Sequence, residues 1–290
     1  MSADPNVEPS ADPYAGPRIE PSADSNADPT ALLALAVDIA TAAGDLALRR
    51  RREGVEVAAT KSSIVDVVTA ADREVEAFIR ARLAAERPGD AFLGEESDAS
   101  AGSTGLTWVV DPIDGTVNYL YGIPRWAVSV AVVAGDDPAS WTPLAGCVVN
   151  PSLGEVFAAS AGDGARLDGR VIRASETDAL ATALVATGFG YDSAIRTAQA
   201  EAAARVIGSV RDLRRAGAAA LDICDVGAGR LDAYWERGLA PWDFAAGVLI
   251  AAEAGAVVAT ADARAGRRLV TAAAPRIADD FAALIDAAGA

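Results

Sequence analysis

Between residues 107 and 160 the chain repeats one texture four times: TWVV, AVSVAVVA, AGCVVN and EVFAAS, short β-branched runs set apart by turn residues. Branched side chains pack well on a pleated surface. The spacing of the runs predicts a sheet made largely of sequence neighbours. Two helical stretches precede them. DPTALLALAVDIATAAGDLALRRRREG reads as a helix capped by Asp28, with Pro29 in the first helical position. Arg49 to Arg52 sit at its C-terminal end before Gly54, where the helix dipole favours cations. AADREVEAFIRARLAAER reads as a second helix, stopped by Pro88 and Gly89. From about residue 181 the texture alternates. ALVATGF, LDAYW and AVVAT read as strands, while AQAEAAARVIGSVRD, GAAALDICDVGAG and WDFAAGVLIAAEAG read as helices. This is a second α/β half. Of the 290 residues 51% are apolar, enough for a substantial core. No linker separates the halves, about 30–180 and 181–290, so one compact α/β (α+β) unit is expected.

Residues 1–29 differ. Pro5, Pro9, Pro13, Pro17 and Pro21 recur every fourth residue, and SADP appears twice. Each proline removes an amide donor and blocks a helix, and acidic residues outnumber the single Arg18. A disordered, self-repelling tail is expected. The net charge of −16 argues against nucleic acid as a partner, because a phosphate backbone calls for clustered Lys and Arg. It leaves room for a phosphorylated small molecule if cations supply the positive charge. Cys147 and Cys224 form no CxxC pair, which suits a reducing cytoplasm. No secretory signal is visible. The apolar stretch from Ala31 to Leu48 carries Asp38 and Asp45, so no membrane span is expected. The chain has no histidine. That removes Ser-His-Asp triads, Cys-His pairs, His-zinc sites and histidine bases. Chemistry must rest on carboxylates, hydroxyls, Lys, Arg and bound metal.

Residues 108–119, WVVDPIDGTVNY, concentrate such groups. In a regular strand Asp111 and Asp114 would face opposite ways. Pro112 fixes its own φ and ends the ladder, so the chain turns and can bring both carboxylates to one side. The Ile113 carbonyl is then free to coordinate. DGT resembles a helix N-terminus whose amides, near Gly115 and Thr116, can hold a phosphate. Hard oxygen donors beside an anion site suit a magnesium-phosphate centre. Three more segments contribute. FLGEES sets Glu95 and Glu96 after a strand-like run, PWDFAAG sets Asp243 at a helix start, and KSSIVDVVTAAD gathers Lys61, Asp66, Thr69 and Asp72. Taken singly, Asp243 reads as an N-cap and Asp72 as a first-turn helix charge.

Together, KSSIVDVVTAAD, GEES, WVVDPIDGTVNY and PWDFAAG resemble the inositol monophosphatase family of metal-dependent, lithium-sensitive phosphatases, over about residues 31–290. The resemblance implies a layered αβαβα sandwich, usually dimeric, with two or three Mg²⁺ in each active site. It implies Glu95, Asp111 and the Ile113 carbonyl as ligands of a first Mg²⁺, and Asp111, Asp114 and Asp243 as ligands of a second. Thr116 and Asp72, with Glu95 nearby, match the groups that orient the attacking water. The Gly115 and Thr116 amides match a phosphate cradle. Gly217, Ala218 and Ala219 match a backbone wall, and Glu236 in YWERGLAPWD matches a residue that binds substrate hydroxyls. Asp114 belongs to the substrate pocket as well. Lys61 matches a loop lysine near the metals. Ile64 and Gly190 depart from residues common in the family, and both lie in loops rather than among the ligands.

The implied reaction is hydrolysis of a phosphate monoester by metal-activated water, with myo-inositol monophosphate as substrate. Histidinol phosphate, fructose 1,6-bisphosphate and a 3′-phosphoadenosine nucleotide are alternatives within the family. A regulatory binding protein associated with RNA processing is the alternative from another class. Phosphatases with an aspartyl nucleophile also carry DGT, but with aspartates two apart, and here they are three apart. Glu236 is expected in a loop, either bonding a ring hydroxyl or paired with Arg237 at the surface.

Overall fold

The structure, a computed structural model, describes residues 28–54, 57–60, 67–264 and 267–290. The segment before Asp28, with Lys61, Ile64 and Asp66, lies outside the described residues. In chain order the elements are α1 (Pro29–Glu53), β1 (Val57–Thr60), β2 (Val67–Thr69), α2 (Ala70–Glu86), β3 (Ala91–Gly94), β4 (Leu106–Asp114), α3 (Thr116–Tyr121), β5 (Ala127–Ala134), β6 (Thr142–Asn150), β7 (Glu155–Ser160), β8 (Ala165–Leu167), β9 (Arg170–Val171), β10 (Leu184–Thr187), α4 (Ser193–Val206), β11 (Asp212–Arg214), α5 (Ala219–Gly227), β12 (Ala233–Arg237), α6 (Pro241–Glu253), β13 (Val257–Arg264), β14 (Arg267–Ala273) and α7 (Ala278–Ala288).

Strands β3 to β9 form one sheet in sequence order, as the repeated runs predict, and a second sheet has the order β11-β10-β12-β14-β13. Side chains alternate across the first sheet. Trp108, Val110, Val128 and Val130 meet Ile39, Ala43, Val75 and Ile79 of α1 and α2. Val109, Ala131, Val148 and Phe157 meet Leu221, Cys224, Ala246 and Leu249 of α5 and α6. The other side of the α5–α6 pair packs Ile223, Val226, Phe244 and Val248 on Ala186, Tyr234 and Val270 of the second sheet. Val206, Phe281 and Ile285 of α4 and α7 cover the outer face, over Val185, Ala233 and Trp235. The layers run α, β, α, β, α. Burial of the first sheet on both faces is why its runs are continuously apolar.

Helix α1 begins as read, with the Asp28 side chain accepting from the Thr30 amide. By length and composition it is apolar enough to cross a membrane. Here its buried stripe, from Leu32 to Ala47, lies in the core under the first sheet.

Candidate active site

The site is built on an irregularity in β4. The strand does not end at Pro112: it pairs Asp111 with Ser129 and Asp114 with Ala127, so Pro112 and Ile113 together stand opposite Val128. This is a β-bulge. Proline suits the extra position because it has no amide to leave unpaired. The Ile113 amide is satisfied locally by Asp111 Oδ1 at 3.0 Å. The bulge shifts the side-chain alternation by one, so Asp111 and Asp114 both line one cavity of about 1000 Å³. Gly115 follows in a left-handed conformation with φ 86°, which favours glycine, and α3 starts at Thr116.

Three other elements reach the same place. The turn after β3 is tied down by Glu76 of α2, whose Oε2 accepts from the Glu96 amide at 2.7 Å. Glu95 thereby lines the cavity and lies within hydrogen-bond reach of Asp111. Asp243 is the third residue of α6 rather than its N-cap, and its Oδ2 accepts from the Ala240 amide at 2.7 Å. Asp72 holds the equivalent position in α2, with Oδ2 accepting from the Thr69 amide at 2.9 Å and from the Thr69 hydroxyl. Its other oxygen, Oδ1, lies 3.2 Å from the Thr116 hydroxyl, which is also 3.1 Å from the Ile113 carbonyl. One hydroxyl proton therefore has two acceptors, and both belong to the site.

Opposite β4, the first turn of α5 grips Asp114. The Ala219 amide donates to Oδ1 at 3.2 Å and the Ala220 amide to Oδ2 at 2.8 Å. The expected backbone wall, Gly217, Ala218 and Ala219, does line the cavity, but the Ala219 amide is spent on Asp114. Glu236 corrects the sequence reading. It lies on β12, which stays paired with β14 through Arg237 and Leu269, and its partner is the Tyr234 hydroxyl, donating to Oε2 at 2.7 Å, rather than Arg237. Its side chain is half-buried in the cavity wall.

Sequence reasoning also missed Asp222, Arg125 and Arg215. Asp222 lines the cavity from α5, and Arg125 bridges it at 2.6 Å to Asp225 at 2.7 Å. No motif announces this pair across 97 residues, although Asp222 and Asp225 are spaced to share a helix face. Arg215 also lines the cavity, near enough to Asp222 and Glu236 for its charge to favour the ionised form of both.

The electrostatics follow from burial and crowding. Burial pushes Asp111 well above the usual carboxylate range, and Glu95, Asp114 and Asp243 push it further. Burial likewise raises Asp243, assisted by Glu95 and Asp114 and opposed by the Ala240 amide. Asp114 is pushed up to about 8 by burial, against the two α5 amides. Burial raises Asp72 to about 6 despite its bonds from Thr69. It raises Glu236 to about 7, opposed by the Tyr234 hydroxyl and Arg215. Like charges confined this closely cannot all ionise unless cations join them. Among the described residues no three acidic, Cys or His side chains already stand as a closed metal cage. Four carboxylates and one main-chain carbonyl around one cavity, with no nitrogen or sulfur donor, nevertheless suit a hard divalent cation such as Mg²⁺.

The sequence profile of the inositol monophosphatase family matches residues 28–288. The inositol-1-monophosphatase SuhB of Mycobacterium tuberculosis is 45% identical over 278 residues, covering 89% of this chain and 94% of that protein. The solved structure of Mycobacterium tuberculosis SuhB superposes with a TM-score of 0.77 at 44% identity, covering 91% of this chain and 98% of that one. A Pseudomonas aeruginosa protein named Nus factor SuhB is 38% identical over 233 residues, 78% of this chain and 84% of that protein.

Proposed function

Because this chain belongs to the inositol monophosphatase family, whose members depend on metal, we propose that it is a Mg²⁺-dependent phosphoric monoester hydrolase acting on myo-inositol monophosphate. The observation that carries the reading is the β4 bulge, which turns Asp111, the Ile113 carbonyl and Asp114 into one cavity with Glu95 and Asp243. Glu95, Asp111 and Ile113 would hold one cation, and Asp111, Asp114 and Asp243 a second. When bound, two or three Mg²⁺ supply positive charge against the phosphoryl oxygens and acidify the attacking water, the task a histidine base performs elsewhere.

This chain's own groups do the rest. The Thr116 hydroxyl, held between Asp72 Oδ1 and the Ile113 carbonyl, orients the water, and Asp72 takes its proton. Glu95, beside Asp111, borders the same point. The Gly115 and Thr116 amides cradle the phosphate as α3 begins. Glu236 and Asp114 accept from ring hydroxyls, with Gly217, Ala218 and Ala219 as the wall behind them. Buried free thiols at Cys147 and Cys224 support a cytoplasmic setting, and a homodimer is the assembly we expect. The Pseudomonas name belongs to that relative. On this chain the acidic surplus and the full oxygen donor set favour catalysis on a small molecule.

The test is phosphate release from inositol 1-phosphate with Mg²⁺ and with chelator. Activity is expected with the metal and none without it. Lithium added at limiting Mg²⁺ is expected to inhibit. Release that persists in chelator would overturn the metal assignment, and no release from any of a panel of phosphomonoesters would overturn the enzyme reading.

A further inference from the structure

We propose that Gly188 and Tyr234, neither of which touches the reacting phosphate, are positioning residues that hold the Glu236 carboxylate at the hydroxyl-binding end of the cavity and so set the preference for polyol substrates. The proposal rests on the reading of Glu236 as the hydroxyl acceptor.

The geometry comes from the strand register. Tyr234 and Glu236 are two apart on β12, so both side chains leave the same face. Tyr234 is fully buried between α5, α6 and the sheet, and its hydroxyl donates to Glu236 Oε2 at 2.7 Å. A buried phenol has little freedom, so its bond fixes one carboxylate oxygen. The other oxygen, Oε1, accepts no hydrogen bond among the described residues. On the neighbouring strand β10 pairs Thr187 with Trp235, which brings Gly188 alongside Glu236. A Cβ at position 188 would overlap the carboxylate, meeting first Oε2, the oxygen that Tyr234 bonds, and lying 2.5 Å from Oε1. Gly188 is not among the glycines of positive φ. Its value here is therefore room rather than backbone freedom. The atoms it would displace are the far end of a flexible side chain, so adding a methyl group there moves the carboxylate and leaves the fold alone. Tyr234 holds the carboxylate by one hydrogen bond, and Gly188 leaves open the place it occupies.

The experiment compares kcat/KM on inositol 1-phosphate and on 2-glycerophosphate, which lacks ring hydroxyls, for the full chain and for Glu236→Gln, Gly188→Ala and Tyr234→Phe. Glu236→Gln is expected to lower the ratio of the two by about ten- to a hundredfold, the scale of one hydrogen bond to a charged group. Gly188→Ala is expected to lower the ratio by about tenfold, and Tyr234→Phe by roughly three- to tenfold. The Mg²⁺ concentration for half-maximal rate is expected to stay unchanged, since no metal ligand is moved. In the Glu236→Gln background the Gly188→Ala change is expected to alter the ratio no further. A collapse of the ratio in Glu236→Gln with none in Gly188→Ala and Tyr234→Phe overturns this inference and leaves Glu236 in its role. An unchanged ratio in Glu236→Gln overturns the role of Glu236 itself. The same Gly188→Ala effect with and without Glu236 would mean that the methyl group meets the substrate directly, and that also overturns the inference.

Discussion

Asp111 shows what one residue must do here. It is buried, it shares a hydrogen bond with Glu95, and it faces Asp114 and Asp243. Such a carboxylate destabilises the metal-free protein, and on the proposed reading its use is the charge it offers a cation. Asp111→Asn is expected to lose roughly a hundredfold or more in phosphate release, the scale of removing one charge-stabilising group. Without Mg²⁺ its melting temperature should be no lower than the parent's, because a repelled charge has gone. Near-normal turnover would remove Asp111 from the ligand set. The Thr116–Asp72 pair makes a second prediction. If the hydroxyl works by way of Asp72, Thr116→Val and Asp72→Asn each cost about a hundredfold in kcat. The double variant should then be little worse than either single one. Losses that multiply would mean the two residues act separately.

At the scale of elements, the join between α2 and β4 depends on Asp90. Its carboxylate accepts from Arg87 Nε at 2.7 Å, the Thr104 hydroxyl at 2.6 Å and Trp108 Nε1 at 2.8 Å. Burial alone would raise Asp90. The bonds from Arg87, Thr104 and Trp108 outweigh it and hold the group below the usual carboxylate range. A depressed folded value means stability that is present above the unfolded value, near 4, and lost as pH falls through the folded one. The acid limb of the melting curve is therefore expected to shallow in Asp90→Asn, with a loss of about 1–3 kcal/mol at neutral pH. Phosphate release at 25 °C should be unaffected, since Asp90 lies away from the cavity. A variant that melts like its parent at pH 7 would show that the join is held by packing alone.

For the whole molecule the decisive balance is acidic charge against cations. Asp72 and Asp114 are raised by burial to about 6 and about 8, and Asp111 and Asp243 are raised well above the carboxylate range. These groups keep protons in the folded state that the unfolded chain has already lost. By linkage, stability without metal should fall as pH rises from about 4 towards 8, the opposite sign to Asp90. On the proposed reading Mg²⁺ binds the folded state, so it should stabilise most at the alkaline end, where a hundredfold excess over Kd contributes about 2.7 kcal/mol. Equal stabilisation by Mg²⁺ at pH 5 and pH 8 would contradict this. The N-terminal segment should contribute nothing to that balance. Removal of residues 1–27 keeps the Asp28 cap and Pro29, and the melting temperature is expected to stay within a degree or so, because a proline-spaced acidic segment buries little. A fall of several degrees would mean that it packs on the core.

The helix ends at Asp28, Pro29 and Gly54, the neighbour-paired strands β4 to β7 and the absence of histidine were legible in the chain itself. They depend on short-range sterics, on runs of branched residues, and on which donors exist at all. The resemblance of four short segments added an expected ligand set, whose residues the structure brings to one cavity. What the sequence left open was register and convergence. Pro112 reads locally as a strand end, yet β4 continues past it because pairing with β5 is stabilised more by the layers on both faces than the lost ladder bond costs. Glu236 reads as a loop residue, yet β14 keeps it in a strand. The Arg267–Arg268 pair at the start of β14 hid that strand from its texture. Asp222 meets Arg125 only because α5 is clamped between two sheets, and Gly188 meets Glu236 only because β10 pairs with β12. Local preference decides which elements form, whereas the placing of one carboxylate against another is decided by packing across layers, which no short stretch of sequence contains.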